Sequence, residues 1–312
     1  MHTCPPPGAS IAAWLKETNQ IAGNYGHLLL EQLAPIDPGQ LRPYFESAHL
    51  DAREVFHGDA GLDLHPDAGA PGGHAQYPAC LPPTARRGLF GEVLCGLVTQ
   101  QYAFVGDEDW AIPVFLFRHH ADARKYVFAL ARDPARQRQL HGRHGNDFIA
   151  VCLDGQGSVV RFLAGEAKWR KALTPGEVET LMHGEWETDG AGVKKRSGLG
   201  IWYGLNRELA APDGLRQLQA ILKERDSEGF AAAILSLDRA LILRDPVVIP
   251  RTDLVMLSGN AAKKHKDGAS LLPSDAPPAD YTAGNPLQVV EVILKDGDGL
   301  IDQLYDSLWG GV

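Results

Sequence analysis

Cysteine is scarce in this sequence, with four residues among 312. They are Cys4, Cys80, Cys95 and Cys152. No two of them form a Cys-x-x-Cys pair and no histidine lies nearby at zinc-finger spacing, so we expect neither a disulfide framework nor a cysteine-rich zinc site. Reduced thiols are typical of a cytoplasmic protein, and we expect that location.

Long apolar runs are missing as well. No stretch approaches the roughly 18 consecutive apolar residues that a membrane-spanning helix requires. The segment from Met1 to Gly8 lacks the basic and apolar regions of a secretory signal peptide. Both absences predict a protein without a membrane partner.

Positive charge is in deficit, because 30 Lys and Arg residues stand against 39 Asp and Glu residues, a formal net charge of -9. Overall attraction would therefore not draw the chain onto nucleic acid, and such contact needs a local basic patch or a partner. The dense basic runs are Lys194–Arg196, in a Gly-rich stretch expected to be a loop, and 263–266. Runs of this kind are most often solvated loops, with a DNA contact as the alternative.

What remains is an ordinary globular composition, with 44% apolar and 22% charged residues. The chain is long enough to bury a core without disulfides or a structural metal. Residues 59–83 are rich in Gly, Pro, Asp, His and Ala, which predicts a long loop. We therefore divide the chain into an N-terminal helical segment with this loop, 1–83, and a main domain, 84–312.

The hydrophobic patterns predict helices and strands that alternate along the chain. The expected helices cover 10–33, 84–102, 121–140, 174–186, 215–224, 229–243 and 300–309, and the expected strands outside the hairpin described next cover 112–117 and 287–294. Interleaved strands and helices indicate an α/β fold with a mixed central sheet flanked by helices.

A β-hairpin is predicted between residues 146 and 168. Residues 146–153 read as one strand, 154–158 as a turn with two glycines, and 159–168 as the returning strand. If 155–158 form a four-residue loop, apolar residues face each other over three successive rungs. The predicted pairs are Leu153 with Val160, Val151 with Phe162, Ile149 with Ala164, and Asp147 with Glu166.

This register places two carboxylates, Asp147 and Glu166, on one face with Cβ atoms about 5 Å apart. Lys168 points to the same face because side chains alternate along a strand. Adjacent carboxylates repel each other unless a cation neutralises them, and Mg²⁺ commonly binds one or two carboxylates together with waters and a phosphate. The alternative is a plain strand end with a solvated Glu-x-Lys pair.

At these residues the chain resembles the PD-(D/E)xK nuclease superfamily, with Asp147 as the aspartate of the motif and Glu166-Ala167-Lys168 as its ExK. The resemblance implies a nuclease core of that fold and a Mg²⁺ or Mn²⁺ ion bound by Asp147 and Glu166, with the backbone carbonyl of Ala167 as a further ligand. It also implies that Lys168 positions the attacking water and that Glu92, on the helix before the first core strand, completes the acidic site.

The sequence departs from the name-giving motif in having Asn146 where a proline would precede the aspartate. A narrower resemblance, over 86–169, is to the nuclease subunits of Hachiman anti-phage defence systems, the HamA family. It rests on Gly91-Glu92-x-Leu94-Cys95-Gly96, then IPVFLFR, Gly145-Asn146-Asp147 and RFLAGEAK.

This narrower resemblance implies a DNA-degrading effector of antiviral defence that a partner helicase restrains. From the residues alone, two alternatives stay open. One is a non-catalytic nucleic-acid-binding or regulatory subunit on a nuclease scaffold. The other is a metal-dependent phosphohydrolase of small nucleotides.

Overall fold

The computed structural model describes residues 1–59, 77–78, 80–106, 109–119, 147–188, 190, 192–207, 211–242 and 247–310. The helix expected over 121–140 lies outside these residues. No helix in the described ranges is both long enough and apolar enough to cross a membrane.

Helices and strands alternate along the described chain, as expected for an α/β protein. The helices are α1 (Gly8–Trp14), α2 (Pro38–Asp59), α3 (Pro83–Gln101), α4 (Pro175–His183), α5 (Ile201–Asn206), α6 (Ala211–Asp226), α7 (Ala231–Leu241) and α8 (Gly297–Ser307). The strands are β1 (Leu15–Ala22), β2 (Tyr25–Gln32), β3 (Phe148–Leu153), β4 (Val159–Leu173), β5 (Trp186–Thr188), β6 (Lys194–Arg196), β7 (Arg251–Ala261) and β8 (Leu287–Leu294).

The centre of the fold is a mixed six-stranded sheet with the order β1-β2-β8-β7-β4-β3. The four inner strands are parallel, while β1 with β2 and β3 with β4 form antiparallel hairpins at the two edges. All eight residues of β8 are buried, as expected for a strand that has layers on both faces. The predicted fold class, an α/β fold with a mixed central sheet flanked by helices, is confirmed.

Different helices cover the two faces of the sheet. Helices α2, α3 and α8 share a hydrophobic cluster with one face, while α4 to α7 pack in two clusters with the opposite face. In β4, Leu163, Ala167 and Trp169 belong to the α3 side, and Phe162 and Ala164 belong to the other side. Alternation along β4 therefore decides which helix layer each side chain meets.

The helix expected over 10–33 is wrong beyond Trp14. Residues Leu15–Ala22 and Tyr25–Gln32 form a hairpin whose turn uses Gly23 at a φ of 60°. The apolar run 28–30 is buried because β2 lies inside the sheet, where both faces are covered. Since β2 pairs with β8, residues from the first 83 share one sheet with the C-terminal part of the chain.

The strand expected over 112–117 is also wrong. Ala111 makes an isolated bridge to Val151, and the chain then enters a 3₁₀ turn at Leu116–His119. Pro113 lies inside the run and has no N–H to donate to a ladder. The apolar side chains are buried nonetheless, so the hydrophobicity of the run reflects the core and not a strand.

Most of the other predicted elements are present with shifted ends. The helix predicted over 84–102 is α3, and the strand predicted over 287–294 is β8. The helix predicted from 174 to 186 is shorter than expected. The Thr174 side chain caps it by accepting from the Glu177 N–H at 3.2 Å, and it ends before Gly184, whose φ is 88°.

A buried histidine ties α2 to its surroundings. The ring nitrogens of His49 lie 2.8 Å from the Tyr77 hydroxyl and 3.0 Å from the Tyr305 hydroxyl, and the ring stacks on Phe117. Burial lowers the pKa of His49 from 6.5 to about 3. The ring is therefore neutral in the folded protein at neutral pH.

Because of His49, we expect the folded protein to lose stability in acid. Below pH 6.5 the unfolded chain protonates the residue, whereas the folded chain does not until about pH 3. Protonation of His49 in the unfolded chain should therefore lower the free energy of unfolding as the pH decreases, by up to about 1.4 kcal/mol for each pH unit. Urea unfolding between pH 7 and pH 5 should give a shallower pH slope for His49→Gln than for the wild type, and equal slopes would contradict the prediction.

Candidate active site

The β3–β4 hairpin builds the candidate site. The predicted pairs Ile149 with Ala164 and Val151 with Phe162 are confirmed by the observed register. Both pairs are buried against the helices that cover the face opposite α3. The intervening residues of β3, namely Phe148, Ala150 and Cys152, are buried on the α3 side, so both faces of this strand are covered.

The turn of the hairpin is one residue tighter than predicted. Leu153 pairs with Val159 and not with Val160, because the register shifts after Cys152. The Asp154 side chain accepts hydrogen bonds from the N–H groups of Gln156 and Ser158, each at 2.9 Å, and so organises the turn. The shift lies at the turn, so the pairing at the far end of the hairpin keeps the predicted register.

Three of the predicted site residues meet at that far end. Asp147 directly precedes β3, and the Lys168 ammonium donates a hydrogen bond to its Oδ2 at 2.7 Å. The same ammonium forms an ion pair with Oε1 of Glu166. The exposed fractions of the side chains are 12% for Asp147, 26% for Glu166 and 31% for Lys168. Two carboxylates thus converge on one cation in a place that solvent still reaches.

The two neighbouring carboxylates favour the protonated form of Lys168. Burial by itself lowers the pKa of its ammonium, but the charges and hydrogen bonds of Glu166 and Asp147 more than offset that effect and raise the pKa above its usual value. Lys168 is consequently suited to carry positive charge and to donate hydrogen bonds.

Glu166 and Lys168 project from the face of the sheet opposite α3. Their β7 partners are Val255 and Leu257, which pack in the cluster on that side. Ala167, between them, is buried on the α3 side. Among the described residues, the pairing of β3 with β4 ends at Gly165. Beyond that residue, at Ala167, the structure pairs β4 only with β7.

Glu92 reaches the same region from α3. Burial raises the pKa of the Cys95 thiol, and the negative charges of Asp147, Glu92 and Glu166 raise it further. The charges of all three predicted acids therefore act on one buried thiol. Glu92 is itself buried, and its charge also raises the pKa of Tyr77 after the larger effect of burial.

Among the residues that the structure describes, no group of three His, Cys, Asp or Glu side chains is arranged to hold a metal ion. The role of Glu92 in completing the acidic site stays a prediction. The carboxylates of Asp147 and Glu166 remain as a pair of oxygen donors. Such a pair fits a hard divalent cation that takes its other ligands from water and a substrate phosphate.

Two neighbours of the site were not predicted from the sequence. Cys95 was noted only as part of a motif, although the charges of all three acids raise the pKa of its thiol. Arg170 continues the alternation of Glu166 and Lys168 on β4, and its Nε lies 3.6 Å from Glu177 of α4. The signal for Arg170 was the strand alternation itself, extended by one more step.

No protein-family model matches the chain, and no curated protein matches it either. The functional proposal therefore depends on the chemistry of Asp147, Glu166 and Lys168.

Proposed function

We propose that the chain is a DNA nuclease that hydrolyses phosphodiester bonds with the help of Mg²⁺ or Mn²⁺. The observation that carries the proposal is the convergence of Asp147, Glu166 and Lys168 at the adjoining ends of β3 and β4. A carboxylate pair with an adjacent ammonium is suited to a substrate that brings both a phosphate and a bound cation. The mixed sheet around this site supports a PD-(D/E)xK core.

Each residue has a distinct role in this proposal. Asp147 and Glu166 would hold the cation, with Glu92 and the backbone carbonyl of Ala167 as further ligands. When bound, the cation supplies a Lewis acid for the phosphoryl oxygen and an acidified water as nucleophile. Lys168, on the same face of β4 as Glu166, would position the attacking water and offset negative charge that develops on the phosphate.

The partner that we propose is a helicase that restrains the nuclease, within a Hachiman-type antiviral defence system. Support for it comes from the sequence resemblance over 86–169. The net charge of -9 agrees with it, because a nuclease with weak intrinsic attraction to DNA is easier to hold inactive.

The test is a comparison of substrates with and without Mg²⁺. The purified chain is incubated, alone and with the partner helicase, with supercoiled plasmid, linear duplex DNA, single-stranded DNA, RNA and mononucleotides. Cleavage of DNA that EDTA abolishes supports the nuclease. Hydrolysis of mononucleotides alone would favour the small-nucleotide phosphohydrolase, and binding without any cleavage would favour the non-catalytic subunit.

A further inference from the structure

Strands β5 and β6 form a short two-stranded ribbon, and their side chains divide between its two faces. Trp186 pairs with Arg196, and Thr188 pairs with Lys194, so these four side chains share one face. That face carries two cations, an aromatic ring and no acid. We call it the Trp186 face.

The Trp186 face is exposed and firmly anchored. The Trp186 ring is 56% exposed, and the Arg196 guanidinium lies 4.3 Å from the ring centroid. Arg196 donates hydrogen bonds to the Thr180 hydroxyl at 3.0 Å and to the Gly184 carbonyl at 3.1 Å, and lies 3.2 Å from the Glu179 carboxylate. An exposed tryptophan is therefore held in place by an arginine that α4 fixes.

The same helix connects the ribbon to the candidate active site. Arg170 lies two residues beyond Lys168 on the same face of β4 and pairs with Glu177 of α4. Glu179, two residues further along α4, pairs with Arg196 of the ribbon. Helix α4 thus has β4 as one neighbour and the ribbon as another, on the side of the sheet from which Lys168 projects.

We propose that the Trp186 face binds the sugar–phosphate backbone of DNA across α4 from the active site, an inference that rests on the proposed nuclease function. Lys194 is exposed and forms no ion pair with any other described residue, so its charge is available for a phosphate. Two-stranded ribbons fit the major groove of duplex DNA. The Trp186 ring, held in place by Arg196, offers a rigid apolar surface against which a deoxyribose can pack. In a chain with a charge of -9, Lys194 supplies a local positive charge on this face, whereas Arg196 is already paired with Glu179.

The experiment measures binding apart from cleavage. The anisotropy of a labelled 30-base-pair duplex is followed with the full chain in EDTA, at several salt concentrations. Lys194→Ala should weaken binding by about three- to tenfold and lower the slope of log K against log salt by about 1. Trp186→Ala should weaken binding by about threefold or more. Lys16→Ala, which removes the same charge from β1 at the far edge of the sheet, should bind like the wild type.

The outcomes separate the two proposals. If the wild type cleaves DNA while Lys194→Ala, Lys194→Glu and Trp186→Ala bind it as tightly as the wild type, the role of the Trp186 face is overturned and the nuclease stands. If the variants bind weakly but the wild type never cleaves, the DNA-binding face stands and the nuclease fails. A wild-type chain that binds no DNA overturns the proposed face outright. Circular dichroism of each variant shows whether it is folded.

Discussion

Glu166→Ala and Lys168→Ala are each expected to lower the rate of DNA cleavage by at least about a hundredfold. Glu166→Ala removes one of the two paired carboxylates, and Lys168→Ala removes the ammonium that both of them contact. Neither side chain is fully buried, so the α/β fold should persist. Cleavage of supercoiled plasmid in Mg²⁺, followed over time, measures the loss.

Lys171→Ala is the matched control for this prediction. Lys171 lies on the same strand but is exposed and outside the carboxylate pair, so the variant should cleave like the wild type. Thermal unfolding of all three variants verifies that they fold. Wild-type cleavage rates in both Glu166→Ala and Lys168→Ala would end the assignment of the site.

Lys168→Met is expected to bind Mn²⁺ about tenfold or more tightly than the wild type, although it should cleave poorly. The ammonium of Lys168 contacts the carboxylates that would hold the ion, and two like unit charges about 4 Å apart repel by about 4 kcal/mol at an effective dielectric constant near 20, with twice that repulsion for a divalent ion. Removing the ammonium removes both the competition and the repulsion. Asp147→Ala should have the opposite effect, because it deletes one of the two carboxylates.

Calorimetric titration with Mn²⁺ in the absence of DNA measures these affinities. Lys171→Met, with the same change of charge on the same strand, should bind the ion like the wild type. An affinity of Lys168→Met at or below that of the wild type would show that the lysine and the ion do not share the carboxylates. The prediction therefore separates ion binding from catalysis, which the cleavage assay alone does not.

The hairpin that builds the site was predictable because it depends on interactions between residues that are close in sequence. Three successive rungs of apolar pairs favour one register, and glycines permit the turn. The pairing near the site follows from this register. The tighter turn was not predictable in the same way, because it depends on how the Asp154 side chain binds the backbone.

Other parts of the fold depend on contacts that are distant in sequence. The run 28–30 is buried because β8, more than 250 positions later, pairs with β2, and no local pattern distinguishes that burial from a buried helix. The run 112–117 is equally apolar, but Pro113 prevents a ladder and the segment packs as irregular chain. In both cases hydrophobicity indicated burial correctly and the element incorrectly.

Within the site as well, features that follow from the local sequence pattern were predictable, and features that depend on distant contacts were not. The shared face of Glu166 and Lys168 follows from alternation, whereas the approach of Glu92 depends on how α3 packs against the sheet. The basic run Lys194–Arg196 was expected to be a loop and is strand β6, paired with Trp186 across a Gly-rich connection. The sequence contained the charges of that face, and only the fold shows the tryptophan that accompanies them.

The central claim is that Asp147 and Glu166 together hold the divalent ion, and anomalous scattering from Mn²⁺ in a crystal of the chain tests it most directly. The account predicts a peak within about 2.0–2.4 Å of a carboxylate oxygen of each residue. A fully occupied Mn²⁺ peak elsewhere, with the carboxylates still bridged by Lys168, would contradict it.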